Sequence, residues 1–292
     1  MTRSLRPIYV LLVLLVGEVL YLWTKWRDVS ESIPHSIDSA YIICLEDCER
    51  LKVQIQDMLM IKDVKIHSAH RGKDADVFLP LYTRHIMANG RHDHMQIPNN
   101  EALGCLLSHD AIWRDIVNGS NDARWSAVFE DDSFLHENSL IDLGQLWKDV
   151  ENETYSILML ESGHINSEAE YRPVGLHAAE CDGKCNWLGT RAYVIGSDGA
   201  QKLHDHLHPI AVQVDALIGL VASYDPDFRL FWTRRSVVQQ NNSMNSRIYD
   251  GCVKCYFPTG FWPYLMGGIF VFFFLSWNLY SLWLWRTGKK VK

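Results

Sequence analysis

A short apolar run ends in three consecutive carboxylates in the stretch Ala127-Val128-Phe129-Glu130-Asp131-Asp132. The apolar part predicts the end of a buried strand, and the acids gather negative charge where a sheet edge meets a cleft. Such clustering is costly unless a cation or a proton compensates it. Because side chains alternate along a strand, we expect Glu130 and Asp132 on one side and Asp131 on the other. Two oxygen ligands on one side suit Mg²⁺ or Mn²⁺, whereas the triplet alone would also fit a solvated acidic turn.

Strand-like and helix-like segments alternate between about residues 30 and 255. Short apolar runs predict strands at 40–45, 64–67, 125–129, 155–160, 188–195 and 228–232. Apolar residues at helical spacing predict helices at 46–60, 100–117, 197–207 and 212–224. This alternation predicts an α/β domain with a largely parallel sheet covered on both faces. Ligands of such sheets bind beyond the carboxyl ends of the strands, where the acidic triplet would lie.

Composition limits the size and the partners of the chain. With 292 residues, 48% of them hydrophobic, the chain is long enough for one well-buried domain and too short for two large ones. The formal net charge is −7 and no long basic block is present. Nucleic acid is therefore not an expected partner.

Both ends of the sequence resemble membrane segments. Residues 8–23 are mostly apolar and follow Arg3 and Arg6, which fits either an uncleaved anchor or a signal peptide. Because no small-x-small cleavage site follows, we expect an anchor. Residues 261–285 are apolar with tryptophans near both ends and basic residues behind them, which predicts a transmembrane helix with a cytoplasmic C-terminus. The lipid bilayer is accordingly an expected partner.

The termini and the glycosylation signals suggest the secretory pathway. The sequence ends in Lys289-Lys290-Val291-Lys292, which matches a cytoplasmic dilysine retrieval signal or is simply a basic flank. Asn-x-Ser/Thr sequons at Asn118, Asn152 and Asn241 are compatible with a lumenal domain. We expect a protein of the endoplasmic reticulum or Golgi membrane whose middle part faces the lumen.

The seven cysteines fall into two groups. Four of them form two closely spaced pairs: Cys181 with Cys185, and Cys252 with Cys255. Such pairs could bind zinc, but disulfides are expected in an oxidising lumen. The other three lie in predicted strands and helices and are expected to be buried thiols: Cys44, Cys48 and Cys105.

Five segments together carry a family likeness. They are Ile42-Ile43-Cys44-Leu45 with Arg50; Gly104-Cys105-Leu106-Leu107-Ser108-His109; Val128-Phe129-Glu130-Asp131-Asp132; Gly189-Thr190-Arg191-Ala192-Tyr193-Val194-Ile195 with Gly199-Ala200-Gln201-Lys202-Leu203; and Val214-Asp215 with Gln239-Gln240 and Ser246. In this order they resemble the family 25 glycosyltransferases, which include bacterial lipooligosaccharide and animal collagen galactosyltransferases. The likeness spans about residues 40–247, although Cys44 stands where the family usually has Asn.

The resemblance implies a fold and a reaction. It implies a GT-A type nucleotide-sugar-binding domain, flanked here by N- and C-terminal transmembrane helices. The expected organisation is a tail and anchor at 1–29, a catalytic domain at 30–256, and a transmembrane helix with a basic tail at 257–292. The implied activity is inverting transfer of a hexose, galactose by resemblance, from a UDP-sugar donor to a hydroxyl of a protein or glycan acceptor. The implied cofactor is Mn²⁺ or Mg²⁺.

Inverting transfer requires positive charge near the departing UDP and a base for the acceptor hydroxyl. Asp132 is the first expected metal ligand, with Glu130 as the second. By the resemblance, Asp215 is the expected base and Glu161 its rival, although Asp215 could instead cap a helix. The residues expected to contact the donor are Leu45, Arg50, Ser108, His109, Glu130 and Asp131. His109 could alternatively fix its helix against the acids, and Arg50 could be a helix-surface charge.

Two other functional classes remain open. A catalytically inactive relative used in adhesion or partner binding is the main alternative. The intact acidic triplet argues against it, and the Cys44 departure argues for it. A metal-dependent phosphohydrolase would need additional His and Asp ligands for a two-metal site, and the sequence does not supply them.

Overall fold

A computed structural model describes residues 15–21, 37–71, 84, 95–119, 125–162, 171–185 and 187–240. Its strands are β1 (Ser39–Cys44), β2 (Asp63–Ser68), β3 (Ser126–Glu130), β4 (Ser133–Leu135), β5 (Ile157–Met159), β6 (Tyr171–Val174), β7 (Ala178–Cys181), β8 (Ala192–Ile195), β9 (Leu230–Thr233) and β10 (Val238–Gln240). Its helices are α1 (Glu49–Met58), α2 (Asn100–Asn118), α3 (Ser139–Val150), α4 (Ser197–Asp205) and α5 (Val214–Tyr224). Residues 15–21 are also helical.

The large sheet has eight strands in the order β2-β1-β3-β8-β5-β9-β7-β6. β1 runs parallel to both β2 and β3, and β5 runs parallel to β9. β8, however, is antiparallel to both of its neighbours, β3 and β5. The prediction of a largely parallel sheet was therefore wrong, and the sheet is mixed. An apolar run such as Ala192–Ile195 reads the same in either direction, so its hydrophobicity does not reveal strand direction.

Helices cover both faces of the sheet, as predicted. One hydrophobic cluster includes buried residues of α1 and α3, and a second includes buried residues of α2, α4 and α5. Every residue of β1 is buried, which fits a central strand covered on both sides. Burial of this kind contributes roughly 25 cal/mol per Å² of apolar surface removed from water.

Helix α2 carries the Gly-Cys-x-x-Ser-His segment, and its start follows from local chemistry. The side chain of Asn99 accepts a hydrogen bond from the backbone N–H of Ala102 at 2.9 Å, which satisfies one of the free donors at the helix N-terminus. Apolar residues then recur on the face that packs on the sheet, among them the fully buried Trp113. The prediction of a helix at 100–117 is confirmed.

Most predicted elements exist, with boundaries shifted by a few residues. Predicted strands correspond to β1, β2, β3, β5, β8 and β9, and predicted helices to α1, α2, α4 and α5. The prediction missed α3, the β6–β7 hairpin, and the separate two-stranded sheet of β4 and β10. The strands it missed have three or four residues each, too few for a clear alternating pattern.

The expected flanking transmembrane helices require a correction. Within the described ranges, no helix is both long enough and apolar enough to cross a membrane. The helical residues described near the N-terminus are 15–21, whereas a transmembrane helix requires roughly 20 residues. The rest of the first apolar segment and all of the second, residues 257–292, lie outside the described residues. The described part of the chain is a mixed α/β fold with a large sheet.

The cysteine predictions were partly wrong. Cys44 and Cys48 form a disulfide, although both were expected to be buried thiols. Cys48 precedes α1 instead of lying within it, so the turn after β1 brings the two sulfurs together. Among the described cysteines, Cys105, Cys181 and Cys185 carry free thiols. The sequence predicted disulfides among the two closely spaced pairs without fixing their connectivity; Cys181 and Cys185 are not in a disulfide, and Cys252 and Cys255 lie outside the described residues.

Candidate functional site

The acidic triplet lies at the carboxyl end of β3, next to the carboxyl end of β1. β1 and β3 are parallel neighbours in which Ile43 lies opposite Glu130, so the residues that follow each strand meet at one edge of the sheet. There the backbone N–H of Leu45 donates to a carboxylate oxygen of Asp131 at 3.2 Å. The structure thus brings together two of the residues that we expected to contact the donor, Leu45 and Asp131.

Glu130 is held by two side chains from other elements. His109 Nε2 lies 3.2 Å from Glu130 Oε1, and Thr190 Oγ1 donates to the same oxygen at 2.5 Å. Burial alone would raise the pKa of Glu130, but the hydrogen bonds from His109 and Thr190 outweigh it and hold the pKa below its usual value. Glu130 therefore carries a negative charge at a fixed position, and its Oε1 already accepts hydrogen bonds from two other side chains.

His109 is itself oriented by a second hydrogen bond. Its Nδ1 lies 2.8 Å from the hydroxyl oxygen of Tyr193, and Trp113 Nε1 donates to that oxygen at 3.0 Å. Because an indole N–H can only donate, the hydroxyl hydrogen of Tyr193 is available for Nδ1. In that arrangement His109 carries its proton on Nε2 and donates it to Glu130. A chain of hydrogen bonds, buried except at Glu130, thus connects α2, β8 and the end of β3.

Asp132 differs from Glu130 because one of its oxygens has no partner. Gln240 Nε2 donates to Asp132 Oδ2 at 2.9 Å, whereas Oδ1 is buried without a hydrogen-bond partner among the described residues. Burial, followed by the negative charge of Glu130, raises the pKa of Asp132 to about 6. β3 ends at Glu130, so strand alternation does not extend to Asp131 and Asp132, which lie in a turn. The expectation that strand alternation places Glu130 and Asp132 on the same side was therefore wrong.

Asp215 lies in the first turn of α5 and faces the same region. Its Oδ2 accepts from the backbone N–H of Gly189 at 3.1 Å, and its Oδ1 accepts from the backbone N–H of Ala216 at 2.7 Å. Burial raises the pKa of Asp215, and the negative charge of Glu130 adds to the effect. Asp215 is not the cap of α5, because Gln213 occupies the N-cap position. Its carboxylate instead joins the first turn of α5 to Gly189.

Residues 189–191 form a loop that contacts three different acids. Gly189 binds Asp215, the Thr190 hydroxyl binds Glu130, and Arg191 binds Glu161 through its backbone N–H at 3.0 Å and its guanidinium group. Gly189 has a φ of +100°, and a Cβ at this position would lie 3.1 Å from a Glu161 carboxylate oxygen. Both conditions favour glycine. We refer to residues 189–191 as the three-acid loop.

Comparison with known families identifies the chain. A family model described as Glycosyltransferase family 25 (LPS biosynthesis protein) matches residues 37–218. The chain belongs to glycosyltransferase family 25. The resemblance drawn from the five segments is thereby confirmed. No curated protein matches the chain. The family match covers the acidic triplet, the three-acid loop and Asp215, and it ends before β10, which supplies Gln240.

The remaining predicted residues of this family 25 member lie in other surroundings. Glu161 is 2% exposed, and both of its carboxylate oxygens are engaged by Arg191. Ser108 is buried, donates to the backbone oxygen of Gly104 and accepts from the backbone N–H of His70, so it fastens α2 to the segment after β2. Arg50 is exposed in the first turn of α1.

Several site residues were quoted in the sequence motifs but were not predicted to act. Thr190, Arg191 and Gln240 each bind one of the acids, and Tyr193 orients His109. Their presence in the quoted motifs was the only signal. The partners are 60 residues apart for Glu130 and Thr190 and 108 apart for Asp132 and Gln240, which no local pattern reveals.

Proposed function

We propose that this family 25 glycosyltransferase is an inverting hexosyltransferase that uses a UDP-sugar, with galactose favoured by the family resemblance. The acceptor would be a hydroxyl of a protein or a glycan. The observation that carries the proposal is the convergence of Asp131, Asp132 and Asp215 on one edge of the sheet. Burial is the largest cause that raises the pKa of the Cys105 thiol, and the negative charges of Glu130 and of these three aspartates raise it further. The four carboxylates therefore all lie near Cys105.

Asp215 is the proposed general base. In the transfer, the acceptor oxygen forms a bond to C1 of the sugar while the bond from C1 to the diphosphate oxygen breaks and its electron pair leaves with UDP. The proton of the acceptor hydroxyl goes to the Asp215 carboxylate. A raised pKa makes this carboxylate a better proton acceptor than an ordinary aspartate. Glu161 is less suited, because Arg191 neutralises its charge and engages both of its oxygens.

The described residues fit the Mn²⁺ or Mg²⁺ that the family resemblance implies. Asp132 Oδ1 is buried without a partner among them, and carboxylate oxygens are the ligands that hard cations prefer. Asp132 would hold the cation, with Asp131 beside it. When bound, the cation would supply positive charge for the departing diphosphate. Glu130 is a weaker candidate ligand for a hard cation held by Asp132 than the sequence suggested, because its Oε1 is bonded instead to His109 and Thr190.

The turn after β1 is the proposed place of the donor. A hydrogen bond from the Leu45 N–H to Asp131 holds this turn, which lies beside the carboxyl ends of the parallel strands β1 and β3. His109 would act on the donor through Glu130 and not by direct contact, because it is fully buried. Arg50, exposed in the first turn of α1, would supply positive charge to a diphosphate that extends beyond the turn.

An oxidising compartment of the secretory pathway is the proposed location. A disulfide between Cys44 and Cys48 supports it, because disulfides persist mainly in such compartments. Asn118 and Asn152, which begin two of the sequons, are both exposed. The catalytic domain would accordingly face the lumen of the endoplasmic reticulum or Golgi.

A donor screen tests the reaction. The purified chain is incubated with a panel of UDP-hexoses and Mn²⁺, and UDP release is measured with and without hydroxyl acceptors. We expect one hexose donor to be turned over, and Asp215→Asn to reduce transfer by about 100-fold or more with a nearly unchanged KM for the donor. Asp205→Asn, an exposed change on α4, is the matched control and should leave the rate unchanged.

The opposite result is equally informative. If no donor is turned over while a UDP-sugar still binds, the chain is a binding protein with a transferase fold, the alternative that Cys44 raised. If Asp215→Asn retains full transfer, the base lies elsewhere and the assignment of Asp215 fails.

A further inference from the structure

Three side chains of metal-binding type converge between α2 and the end of β3. Cys105 and His109 lie one helical turn apart on α2, and Glu130 is the last residue of β3. One ligand atom from each residue lies within 4.8 Å of the other two. These atoms are the Cys105 sulfur, a His109 ring nitrogen and a Glu130 carboxylate oxygen. The group is separate from the Asp132 oxygen to which the proposed function assigns a hard cation.

The spacing of these atoms is close to that of a tetrahedral site. With bonds of about 2.0–2.3 Å, neighbouring ligands of a zinc ion are roughly 3.3–3.8 Å apart. His109 Nε2 and Glu130 Oε1 are already 3.2 Å apart, and the Cys105 sulfur lies within 4.8 Å of both ligand atoms. Cys105 is half-buried and therefore reachable by an ion, whereas His109 is fully buried and fixed.

The surroundings of His109 match those of a metal-ligating histidine. Such a residue usually bonds through its second ring nitrogen to an oxygen, which fixes the ring orientation. Here Nδ1 lies 2.8 Å from the Tyr193 hydroxyl oxygen. That oxygen has two lone pairs, so it can accept from Nδ1–H while it also accepts from Trp113.

We propose that Cys105, His109 and Glu130 form a site for a zinc-class divalent cation, with water as the fourth ligand. A thiolate, an imidazole and a carboxylate are zinc ligands, whereas Mn²⁺ and Mg²⁺ avoid sulfur. On binding, the His109 proton moves from Nε2 to Nδ1 and the Cys105 thiol releases its proton to solvent. The cation takes Glu130 Oε1 from Thr190, which loosens the three-acid loop. Occupation should therefore inhibit any activity that depends on Asp215.

Cobalt(II) is the probe, because its bond to a thiolate gives a near-ultraviolet charge-transfer absorption that oxygen ligands do not. The full-length chain, free of added thiols, is titrated with Co²⁺ and then with Zn²⁺ as a competitor. We expect a thiolate band that saturates at about one cobalt per chain, disappears when zinc is added, and accompanies release of about one proton. Cys105→Ser should lose the band. Asp132→Asn should keep it, which separates this site from the one in the proposed function.

The other cysteines provide the matched control. A variant with C181S, C185S, C252S and C255S retains the Cys44–Cys48 disulfide and Cys105, and it should keep the band. The inference is overturned if that variant loses the band, if Cys105→Ser keeps it, or if the wild-type chain gives none. Should Cys105→Ser fail to fold, maleimide labelling of the wild-type chain decides the matter. Zinc must then protect Cys105 from labelling more than Cys181, and equal labelling would refute the site.

Discussion

The three consecutive acids have three different environments, although the sequence presents them as one motif. Glu130 is bonded to His109 and Thr190, and Asp131 to the backbone of Leu45. Asp132 is bonded to Gln240 through Oδ2, and its Oδ1 has no partner in the part of the chain that the structure describes. The pKa of Glu130 is lowered while the pKa of Asp132 is raised to about 6. Residue type therefore does not decide the role of each carboxylate; its hydrogen-bond partners do.

Asp132→Asn should stabilise the metal-free chain and reduce its Mn²⁺ affinity. Because the folded-state pKa of Asp132 is raised to about 6 from 3.8, its ionised form destabilises the fold, and stability falls as pH rises through that window. At pH 7 in excess chelator, we expect the substitution to raise the free energy of unfolding by about 1–2 kcal/mol. Urea unfolding and Mn²⁺ titration measure the two effects.

Asp131→Asn is the comparison for that experiment, since Asp131 already accepts from the backbone N–H of Leu45. It should not stabilise the chain, because the amide oxygen forms a weaker hydrogen bond than the carboxylate. A loss of stability in Asp132→Asn would contradict the interpretation that Asp132 is held ionised at a cost to the fold.

At the scale of elements, the three-acid loop connects β5, α5 and the end of β3. Two of its contacts are made by backbone N–H groups, those of Gly189 and Arg191, so these contacts depend on the backbone conformation of the loop. Gly189 takes a φ of +100° and lies against the Glu161 carboxylate. The loop therefore depends on one glycine for its geometry.

Gly189→Ala should destabilise the chain by about 1–2 kcal/mol and reduce transfer activity further than this loss explains. An alanine is strained at this φ, and its Cβ would contact Glu161 at 3.1 Å. Thermal unfolding and initial rates measure the two quantities. Gly17→Ala is the control, because a Cβ there meets nothing within 4 Å. An unchanged rate in a folded Gly189→Ala chain would show that the loop does not position Asp215.

Glu180 joins the β6–β7 hairpin to β9 through two arginines. Its carboxylate accepts from Arg172 and, at 2.6 Å, from Arg229 Nε. Burial alone would raise the pKa of Glu180, but the bonds from Arg229 and Arg172 outweigh it and lower the pKa below 4.5. This ion-pair cluster joins the edge strand β6 to β7 and to the start of β9.

Glu180→Gln should reduce the free energy of unfolding at pH 7 by about 1–3 kcal/mol, because it leaves Arg172 without its anion and leaves Arg229 with Glu153 alone. For a carboxyl group with a lowered folded-state pKa, the stabilisation is present above the ordinary pKa of 4.5 and is lost as pH falls through the lowered value. The wild type and the variant should therefore converge in acid. Asp63→Asn, which removes an exposed partner of Lys65, should have almost no effect. A constant difference at all pH values would contradict the assignment.

At the scale of the whole molecule, the chain combines a disulfide in the turn after β1 with exposed glycosylation sequons. The disulfide lies at the end of β1, next to the residue whose N–H binds Asp131. The redox state of the compartment in which the chain folds would therefore affect the turn that binds Asp131. An oxidising lumen would preserve the geometry that the structure shows.

Glycosidase treatment of the chain expressed in a eukaryotic secretory system tests this location. We expect a mobility shift that decreases when Asn118→Gln and Asn152→Gln are combined, since both side chains are exposed. Asn138→Gln, an exposed asparagine outside any sequon, should leave the shift unchanged. A wild-type chain without glycan would argue against lumenal exposure of these sequons.

Local patterns in the sequence sufficed for the elements and for the motif residues. The periodicity of apolar residues predicted α2 and α5, the short apolar runs predicted β1 and β3, and the five segments led to the family. These signals are local, because helix and strand spacing depend on residues a few positions apart. The position of Asp131 and Asp132 at the carboxyl edge of the sheet followed from the same reasoning.

Only the tertiary structure decided the direction of β8, the Cys44–Cys48 disulfide and the assignment of each acid to its partner. Glu161 was a candidate base in sequence, and it became an anchor because Arg191 folds back onto it. Such contacts join residues tens of positions apart and depend on how strands order themselves in the sheet. The sequence by itself determined which residues could perform the chemistry, and the packing of the sheet determined which of them are free to do so.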